Sequence, residues 1–383
     1  MSTPRRLRVA IVVASLRILG GQAVQAQRMI DGWRHDPDIE AWIVPINPVP
    51  PAPLDRLLEV KYLRTLVTQM CYWPLLIREL RGADVVHVFS ASYWSFLLAP
   101  LPAIVVARLF GKPVLLNYHS GEAPDHLERS WLARRTLQRW VDYNVVPSPF
   151  LRDVLASFGI PAAVVSNTLD LGEFRYRVRE PLRPRLLSTR NFEPLYNVAC
   201  VLRAFARVQA RHPDASLVLV GSGSQEDALR TLAAQLALRH VTFTGRVWPA
   251  EIAHFYADAD IYLQAPSIDN MPLSVLEAFA SGLPVVSTDV GGVPAILTDG
   301  VHGLLAPDDD AEVLAGHVLH LLEHPDHARQ MAGAAKDSCL RYDWSIVREQ
   351  WLAAYHETAG RARVRRPAQA QRSAAEPQGS ILR

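Results

Sequence analysis

The order of apolar segments constrains the fold of this chain more than any other feature of its sequence. Short apolar runs without polar alternation are separated by segments with helical periodicity, and this order occurs twice along the chain. Apolar strands without alternation are typical of parallel sheets that are covered by helices. A charged, proline-containing segment without a clean period separates the two series. The sequence therefore predicts an α/β protein with two parallel sheets and a cleft between its domains.

The predicted domain boundaries follow from these changes in pattern. A chain of 383 residues is long enough for two hydrophobic cores. We expect a first domain at residues 1–166, a linker at 167–185 and a second domain at 186–343. An amphipathic helix is expected at 344–359. The tail at 360–383 is rich in Arg, Ala, Gln and Pro and is expected to be disordered.

Composition and cysteine usage exclude several classes of protein. A net charge of +2 gives no broad electrostatic reason to bind nucleic acid. Cys71, Cys200 and Cys339 lie far apart without a C-x-x-C pair, which favours buried thiols and a reducing cytoplasm. The apolar run Val9–Ala14 is too short for a signal peptide and is interpreted as a buried strand. The apolar segment Tyr93–Phe110 falls short of a membrane span. We expect a soluble, cytoplasmic protein.

The segment Tyr262–Ala295 combines the groups that a nucleotide sugar requires. It reads as a strand end, a polar loop, a helix that begins near Pro272 and a second apolar strand. Asp269 on the loop and Glu277 on the helix are eight residues apart, so both carboxylates can face one crevice and bind sugar hydroxyls. The start of a helix binds anions such as phosphate. The residues at this start are Asn270, Met271, Pro272 and Leu273.

This segment resembles the signature of retaining GT-B glycosyltransferases of family 4. In that signature, a Glu, seven residues and a second Glu are followed by Ala-hydrophobic-Ala-x-Gly-x-Pro-Val-Val. Asp269 stands at the first acidic position, where the family has Glu, and Glu277 stands at the second. The resemblance covers residues 8–358. It implies a GT-B fold, in which two Rossmann-like domains face each other across a cleft.

In the first domain, the resemblance implies roles for two loops. Gly20 and Gly21 follow the first strand, and in the family this loop meets the donor diphosphate; by itself, a Gly pair indicates only a turn. His119 ends a buried strand at the position where the family has a His near the transferred sugar and the acceptor. The alternative is a histidine that only orders its loop. Further candidates for acceptor contacts follow on this loop: Glu122, Asp125 and His126.

In the second domain, the resemblance implies a nucleotide site. Arg190 stands where the family has an Arg that binds the diphosphate, and its planar charged group suits that ligand. A Lys normally follows five or six residues later, but this chain has Leu195 and Tyr196 there, so one phosphate contact is lost or supplied differently. Five further residues match the family's segments that hold the nucleotide, the last of which usually holds the edge of the base. They are Gly221, Gly223, Gly245, Arg246 and Val247.

The resemblance implies a metal-independent, retaining hexosyltransferase with no cofactor beyond its nucleoside diphosphate sugar donor. Arg190, the amides of the Gly20-Gly21 loop and the amides after Asp269 would balance the diphosphate charge. Glu277 would bind the ribose, and Asp269 with His119 would bind the donor sugar. The expected catalytic residues are therefore His119, Arg190, Asp269 and Glu277. The acceptor would be a sugar, a glycan or a lipid-linked molecule in polysaccharide or glycolipid biosynthesis; the sequence leaves the oligomeric state open.

Two other functions remain open on the sequence. A GT-B-shaped protein that binds a nucleotide or glycan without turnover would explain the missing Lys and the Asp at position 269. A sugar-nucleotide epimerase would convert free nucleotide sugar without an acceptor. Asp258-Ala-Asp260 has the spacing of a metal-binding acidic motif, but capping of a helix end explains it better, and no metal is expected.

A basic helical segment raises the question of membrane contact. The pattern from Leu127 to Val141 is helical, with Ala133, Leu137 and Trp140 on one side and arginines mostly opposite. Such a helix usually packs its apolar side on a sheet. Peripheral contact with the inner face of a membrane is a second hypothesis, attractive if the acceptor is lipid-linked.

Overall fold

The computed structural model describes residues 5–17, 20–52, 54–90 and 92–374. These residues form two α/β domains, each around a six-stranded parallel sheet. The prediction of two parallel sheets is therefore confirmed. The interior strands Val85–Ser90, Val114–Tyr118 and Val285–Thr288 are mostly apolar and are buried along their whole length, because helices cover both faces of each sheet.

The first sheet has the strand order β2-β1-β3-β4-β5-β6. Its strands are β1 (Leu7–Val13), β2 (Ile39–Pro45), β3 (Val85–Ser90), β4 (Val114–Tyr118), β5 (Tyr143–Val146) and β6 (Ala162–Val164). The helices of this domain are α1 (Gly21–Trp33), α2 (Lys61–Leu80), α3 (Tyr93–Leu98), α4 (Pro100–Leu109), α5 (Ala123–Arg129), α6 (Trp131–Arg139) and α7 (Pro149–Ser157). Helices α2, α4, α6 and α7 pack on one face of the sheet, and α1 packs on the other.

The second sheet has the order β12-β11-β10-β7-β8-β9. Its strands are β7 (Arg185–Thr189), β8 (Ser216–Val220), β9 (Val241–Gly245), β10 (Ile261–Leu263), β11 (Val285–Thr288) and β12 (Leu304–Ala306). The remaining helices are α8 (Val198–Arg211), α9 (Glu226–Gln235), α10 (Pro249–Asp258), α11 (Leu273–Ser281), α12 (Ala311–Glu323), α13 (Pro325–Ser338) and α14 (Trp344–Ala374). Irregular backbone at 167–184 joins the two domains.

Two helices of the first domain differ from their sequence patterns. The apolar pattern at 54–80, with Pro74 inside it, predicts a break near that proline, but α2 is continuous through Pro74. Packing of the buried Tyr72, Leu76 and Leu80 offsets the missing backbone hydrogen bond. The pattern at 127–141 is divided, because the Ser130 side chain caps α6 by accepting from the Ala133 amide.

Trp140 also lies differently from the prediction. It follows the end of α6, and 45% of its surface is exposed, so it does not belong to the buried side that holds Ala133 and Leu137. The helical pattern predicts the buried side within α6 only, since residues past the end of a helix no longer follow its period.

The last helix returns to the first domain. Trp344 packs edge-on against Trp33 of α1 at 4.8 Å between ring centroids, and Arg348 donates to Asp36 at 2.6 Å. α14 runs to Ala374, beyond the predicted end at 359, through residues rich in Ala, Arg and Gln, which favour helix. Residues 375–383 of the predicted tail lie outside the described residues. In the described part of the chain, every helix is too short or too polar to cross a membrane.

Candidate active site

The loop between β10 and α11 meets three loops of the first domain across the cleft. The Ser148 hydroxyl, which follows β5, hydrogen-bonds the Asn270 side chain, and the Asn270 amide group donates to the His119 carbonyl at 3.4 Å. A Cβ placed on Gly121 would lie 3.6 Å from the Asp269 carbonyl carbon. A Cβ placed on Gly21 would lie 3.9 Å from Leu273. The carboxyl ends of strands from both sheets therefore converge on one loop, which is the usual ligand position in such sheets.

Glycines after β11 hold this loop in place. The Gly292 amide donates to the Asp269 carbonyl at 2.9 Å. A Cβ on Gly292 would collide with the Asn270 carbonyl oxygen, and Gly291 has a φ of +54°. The backbone amide of Asn270 donates to Oδ1 of the preceding residue, Asp269, at 2.7 Å. Since this amide is used and Pro272 has no N–H, the predicted anion-binding amides at the start of α11 reduce to Met271 and Leu273.

Arg190 and Asp269 form an ion pair at the floor of the cleft. The Arg190 guanidinium also donates to the Ser274 hydroxyl at 3.1 Å and lies 4.0 Å from the Tyr196 ring centroid. Burial opposes the charge, but the Asp269 carboxylate more than offsets it and raises the pKa of Arg190 above its ordinary value. The position where a Lys was expected is thus filled by an aromatic ring that stacks on the arginine.

Glu277 is buried on the inner side of α11 and has two partners that the sequence did not indicate. Its Oε2 accepts from the Tyr256 hydroxyl at 2.9 Å, and its Oε1 lies 3.4 Å from the Arg28 guanidinium of α1. Arg28 also pairs with Glu173 of the linker at 3.0 Å. Burial, then the Glu277 charge, raises the pKa of Tyr256 well above its ordinary value, so Tyr256 remains a neutral donor. Arg28 therefore joins all three parts of the chain at this carboxylate.

His119 lies at the first-domain side of the cleft with its ring 5.1 Å from that of Phe89. Burial lowers its pKa to about 3, so the imidazole is neutral near pH 7. It can donate or accept a hydrogen bond there, but it carries no charge with which to balance a phosphate.

The three weaker candidates have mostly local partners, and only Glu122 lies on the His119 loop, because Asp125 and His126 belong to α5. The His126 Nδ1 lies 2.7 Å from the Tyr118 hydroxyl inside the core, and this histidine is 1% exposed. Asp125 accepts from the Tyr93 hydroxyl and pairs with Arg129 at 2.7 Å. Glu122 donates only its backbone amide to the Ser120 hydroxyl at 3.3 Å, so its carboxylate is the best placed of the three for a ligand.

The predicted nucleotide segments lie beside Arg190. The Gly221 amide donates to the Gly245 carbonyl at 3.1 Å, and a Cβ on Gly221, whose φ is +153°, would collide with the Arg190 carbonyl oxygen. Arg246 crosses the cleft and donates to the Arg17 carbonyl at 3.0 Å. Val247 packs against the core that holds α11. Asp260, the second acid of the Asp258-Ala-Asp260 segment, lies away from the cleft and forms an ion pair with Arg177 at 2.9 Å.

Two family models match consecutive parts of the chain. The model described as Glycosyltransferase Family 4 matches residues 20–173, and the model described as Glycosyl transferases group 1 matches residues 176–338. The boundary between the two matches falls in the linker. Between them they cover both walls of the cleft.

Characterised relatives cover most of the chain. A phosphatidyl-myo-inositol mannosyltransferase of Mycolicibacterium smegmatis is 31% identical over 286 residues, which are 72% of each chain. The sulfoquinovosyl transferase SQD2 of Arabidopsis thaliana is 28% identical over 312 residues, which are 73% of this chain but 59% of the plant protein's length.

Solved structures share the fold at low identity. Anabaena Alr3699/HepE in complex with UDP-glucose has a TM-score of 0.73 at 16% identity, covering 90% of this chain and 98% of its own. The lipopolysaccharide outer core galactosyltransferase WaaB has a TM-score of 0.64 at 16% identity, covering 91% of this chain and 99% of its own.

Proposed function

The chain belongs to the family of glycosyl transferases group 1 and has the GT-B fold, and from this premise we propose that it transfers a sugar, with retention, from a nucleoside diphosphate sugar to an acceptor hydroxyl. The observation that carries the proposal is the approach of the His119 loop to three charged side chains across the cleft. Arg190, Asp269 and Glu277 come from the second domain, and the first-domain loop contacts the Asp269 segment through the His119 carbonyl, which accepts from Asn270. We place the reaction in glycolipid or polysaccharide biosynthesis.

The second domain would bind the donor nucleotide. Glu277 is held by Tyr256 and Arg28, so its carboxylate has a fixed orientation toward ribose hydroxyls. The turns at Gly221 and Gly245 bring the backbone close to Arg190. The base of the nucleotide would lie at these turns, and its diphosphate would lie beside Arg190. Since Alr3699/HepE was solved with UDP-glucose, UDP is the first nucleotide to test.

The leaving diphosphate needs positive charge, which Arg190 would supply. In the structure Arg190 is paired with Asp269. We propose that donor binding exchanges this pair, so that the diphosphate takes the guanidinium and the hydroxyls of the donor sugar take the carboxylate. The amides of Met271 and Leu273 and those of the Gly20-Gly21 loop would complete the anion site without a metal ion or other cofactor.

Retention would follow from attack on the face that the diphosphate leaves. The acceptor oxygen forms a bond to the anomeric carbon while the bond from that carbon to the diphosphate oxygen breaks. The acceptor proton moves to the leaving phosphate oxygen, so no protein base is needed. His119, which is neutral, would position the sugar and acceptor by hydrogen bonding, and positioning of this kind contributes strongly to rate.

Calorimetry with UDP, GDP, ADP and TDP, in buffer containing EDTA, tests the donor site. We expect one nucleotide to bind wild type, and Glu277→Ala to weaken that binding about ten- to a hundred-fold, because a charged hydrogen-bond partner is worth about 1.5–3 kcal/mol. Glu173→Ala is the matched control, since it also removes a carboxylate from Arg28 but leaves Glu277 in place.

The outcomes separate the candidate functions. Binding that Glu277→Ala weakens and Glu173→Ala does not would establish the site, and sugars of that nucleotide would then be screened for transfer to glycan and lipid acceptors. Conversion of the free nucleotide sugar without an acceptor would instead indicate an epimerase. If no nucleotide binds to folded wild type, the transferase proposal fails and a glycan-binding protein becomes the better account.

A further inference from the structure

Helix α2 carries an apolar stripe that no other part of the described chain covers. The stripe consists of side chains three or four residues apart, each 39–68% exposed: Leu63, Leu66, Met70, Trp73 and Ile77. Such spacing places them on one side of the helix. The adjacent side, with Tyr72, Leu76 and Leu80, is buried in the core. An outer apolar side of this length on a surface helix indicates a binding surface rather than chance exposure.

The stripe continues onto neighbouring helices on the same face of the sheet. The Gln69 side chain of α2 donates to the Leu98 carbonyl at 2.9 Å, which ties α2 to α3, and Arg108 of α4 donates to the Trp140 carbonyl at 2.7 Å. We call this the outer face; its further exposed apolar members are Trp94, Leu98, Leu109, Trp131, Leu132 and Trp140. Of the 19 large apolar residues that are exposed in the described chain, 14 lie before residue 141.

The charge of the outer face indicates what kind of partner it binds. Residues 60–140 contain ten Lys or Arg and five Asp or Glu. Glu79 and Asp125 already pair with Arg78 and Arg129. Arg64 and Arg135 are exposed and have no acidic partner within the described ranges. Four tryptophans on this face add amphipathic rings, which favour a boundary between water and lipid.

We propose that the outer face binds the surface of an anionic lipid bilayer. A bilayer offers apolar volume for the stripe and negative charge for the arginines, over an area that four helices can cover. A second copy of this chain fits less well, because a symmetric contact would bring two basic faces together. Helix α2 has 20 residues and is about 30 Å long, and one of its sides is buried in the domain core, so only the stripe could contact the lipid and the helix would lie along the membrane.

This orientation would bring one edge of the cleft near the lipid. Helix α3 follows the carboxyl end of β3, where the cleft opens, and its Tyr93 hydroxyl bonds Asp125 of α5, the helix that follows the His119 loop. Trp94, at 76% exposure, thus lies near the acceptor side of the cleft. That the membrane presents a lipid-linked acceptor to this side rests on the proposed function; binding of the bilayer does not.

Sedimentation with phosphatidylcholine vesicles, with and without phosphatidylglycerol, tests the proposal. Wild type should bind the vesicles that contain phosphatidylglycerol, and added salt should weaken this binding. The double variant Leu66→Asp/Met70→Asp should lose at least about ten-fold in partition, since burial of each side chain is worth more than that factor. Leu340→Asp, at a similarly exposed residue of the second domain, should bind like wild type.

Light scattering and UDP calorimetry on the same preparations complete the test. Failure of wild type to bind anionic vesicles, or equal loss in Leu340→Asp, overturns the proposal. So does a wild-type dimer that the double variant dissociates without any vesicle binding. A double variant that binds UDP like wild type but not vesicles supports it. If wild type binds vesicles but no nucleotide, the proposed function is wrong, whereas the proposal that the outer face binds a bilayer is supported.

Discussion

Tyr196 occupies the position where a lysine would add a second cation beside Arg190. Its ring instead lies 4.0 Å from the Arg190 guanidinium, while Asp269 and Ser274 hold the guanidinium from other sides. The chain therefore has one cation here, the Arg190 guanidinium, and its neighbours hold that group in one orientation. The contacts with Tyr196 and Ser274 can persist when a diphosphate replaces Asp269, so they reduce the cost of aligning Arg190 and can offset part of the lost charge.

Substitution of Tyr196 tests this role. Tyr196→Phe keeps the aromatic face and should bind nucleotide like wild type. Tyr196→Ala removes the face and should weaken binding by about two- to thirty-fold, as a cation–π contact contributes about 0.5–2 kcal/mol. Calorimetry with the nucleotide that wild type prefers measures both. Equal affinities in Ala and Phe would show that the stack plays no part.

Arg28 and Tyr256 show what residue types alone cannot indicate. Both lie on helices whose periodicity is ordinary, and neither belongs to the acidic pattern around Glu277. Their partner is 249 residues away for Arg28 and 21 residues away for Tyr256. A long polar side chain on a helix near a cleft is normally solvated, so no sequence signal distinguishes these two from many others.

At the scale of elements, packing requires a glycine at position 292 but not at position 20. Gly292 sits where a Cβ would collide with the backbone of the β10–α11 loop, so this glycine is required by packing. Gly20 has nothing within 4 Å of such a Cβ and has extended backbone, so the fold itself does not require it. A glycine that packing does not require, at the start of α1 and facing the cleft, fits close approach of a ligand.

Paired alanine substitutions separate these reasons. Gly292→Ala should lower the free energy of unfolding by about 1–3 kcal/mol, because the loop must shift to admit the methyl group. Gly20→Ala should leave the free energy of unfolding unchanged but weaken nucleotide binding. Urea denaturation and calorimetry on both variants decide this. Unchanged nucleotide affinity in Gly20→Ala would remove this loop from the donor site.

At the scale of the whole molecule, α14 joins the first domain to the second. His87 of β3 is 0% exposed, and its Nδ1 lies 2.9 Å from the Tyr355 hydroxyl of α14. Its ring also lies 4.8 Å from that of Trp351. Burial, with a further contribution from His119, lowers the pKa of His87 to about 3. The packing of α14 on the sheet therefore depends on a neutral histidine.

This histidine predicts how stability depends on pH. Below about pH 6.5 the unfolded chain protonates His87, whereas the folded chain does not until about pH 3, so the unfolded state binds more protons and stability falls as pH falls. His87→Gln should remove about 1.4 kcal/mol per pH unit from this slope between about pH 6 and pH 4. Urea denaturation across that range measures it, and parallel curves for wild type and variant would contradict the prediction.

The sequence by itself determined eleven of the twelve strands, which ends of them carry polar loops, and where one series of strands stops and the next begins. The exception is β12 (Leu304–Ala306), because the glycines of residues 299–307 predict a loop there. These properties are local: an apolar run must be buried, a glycine permits a turn, and a family motif is contiguous. They were enough for the two parallel sheets, whereas a common site of His119, Arg190, Asp269 and Glu277 stays a prediction.

Only the tertiary structure decided which groups pair within that cleft and which apolar residues stay exposed. The contact of Arg28 with Glu277 and the stacking of Tyr196 on Arg190 depend on how separate elements pack. The same holds for the stripe on α2, whose apolar residues read as core until the sheet is assembled and leaves one side of the helix uncovered. Hydrophobic periodicity gives the sides of a helix, but the neighbours that cover each side come from elsewhere in the chain.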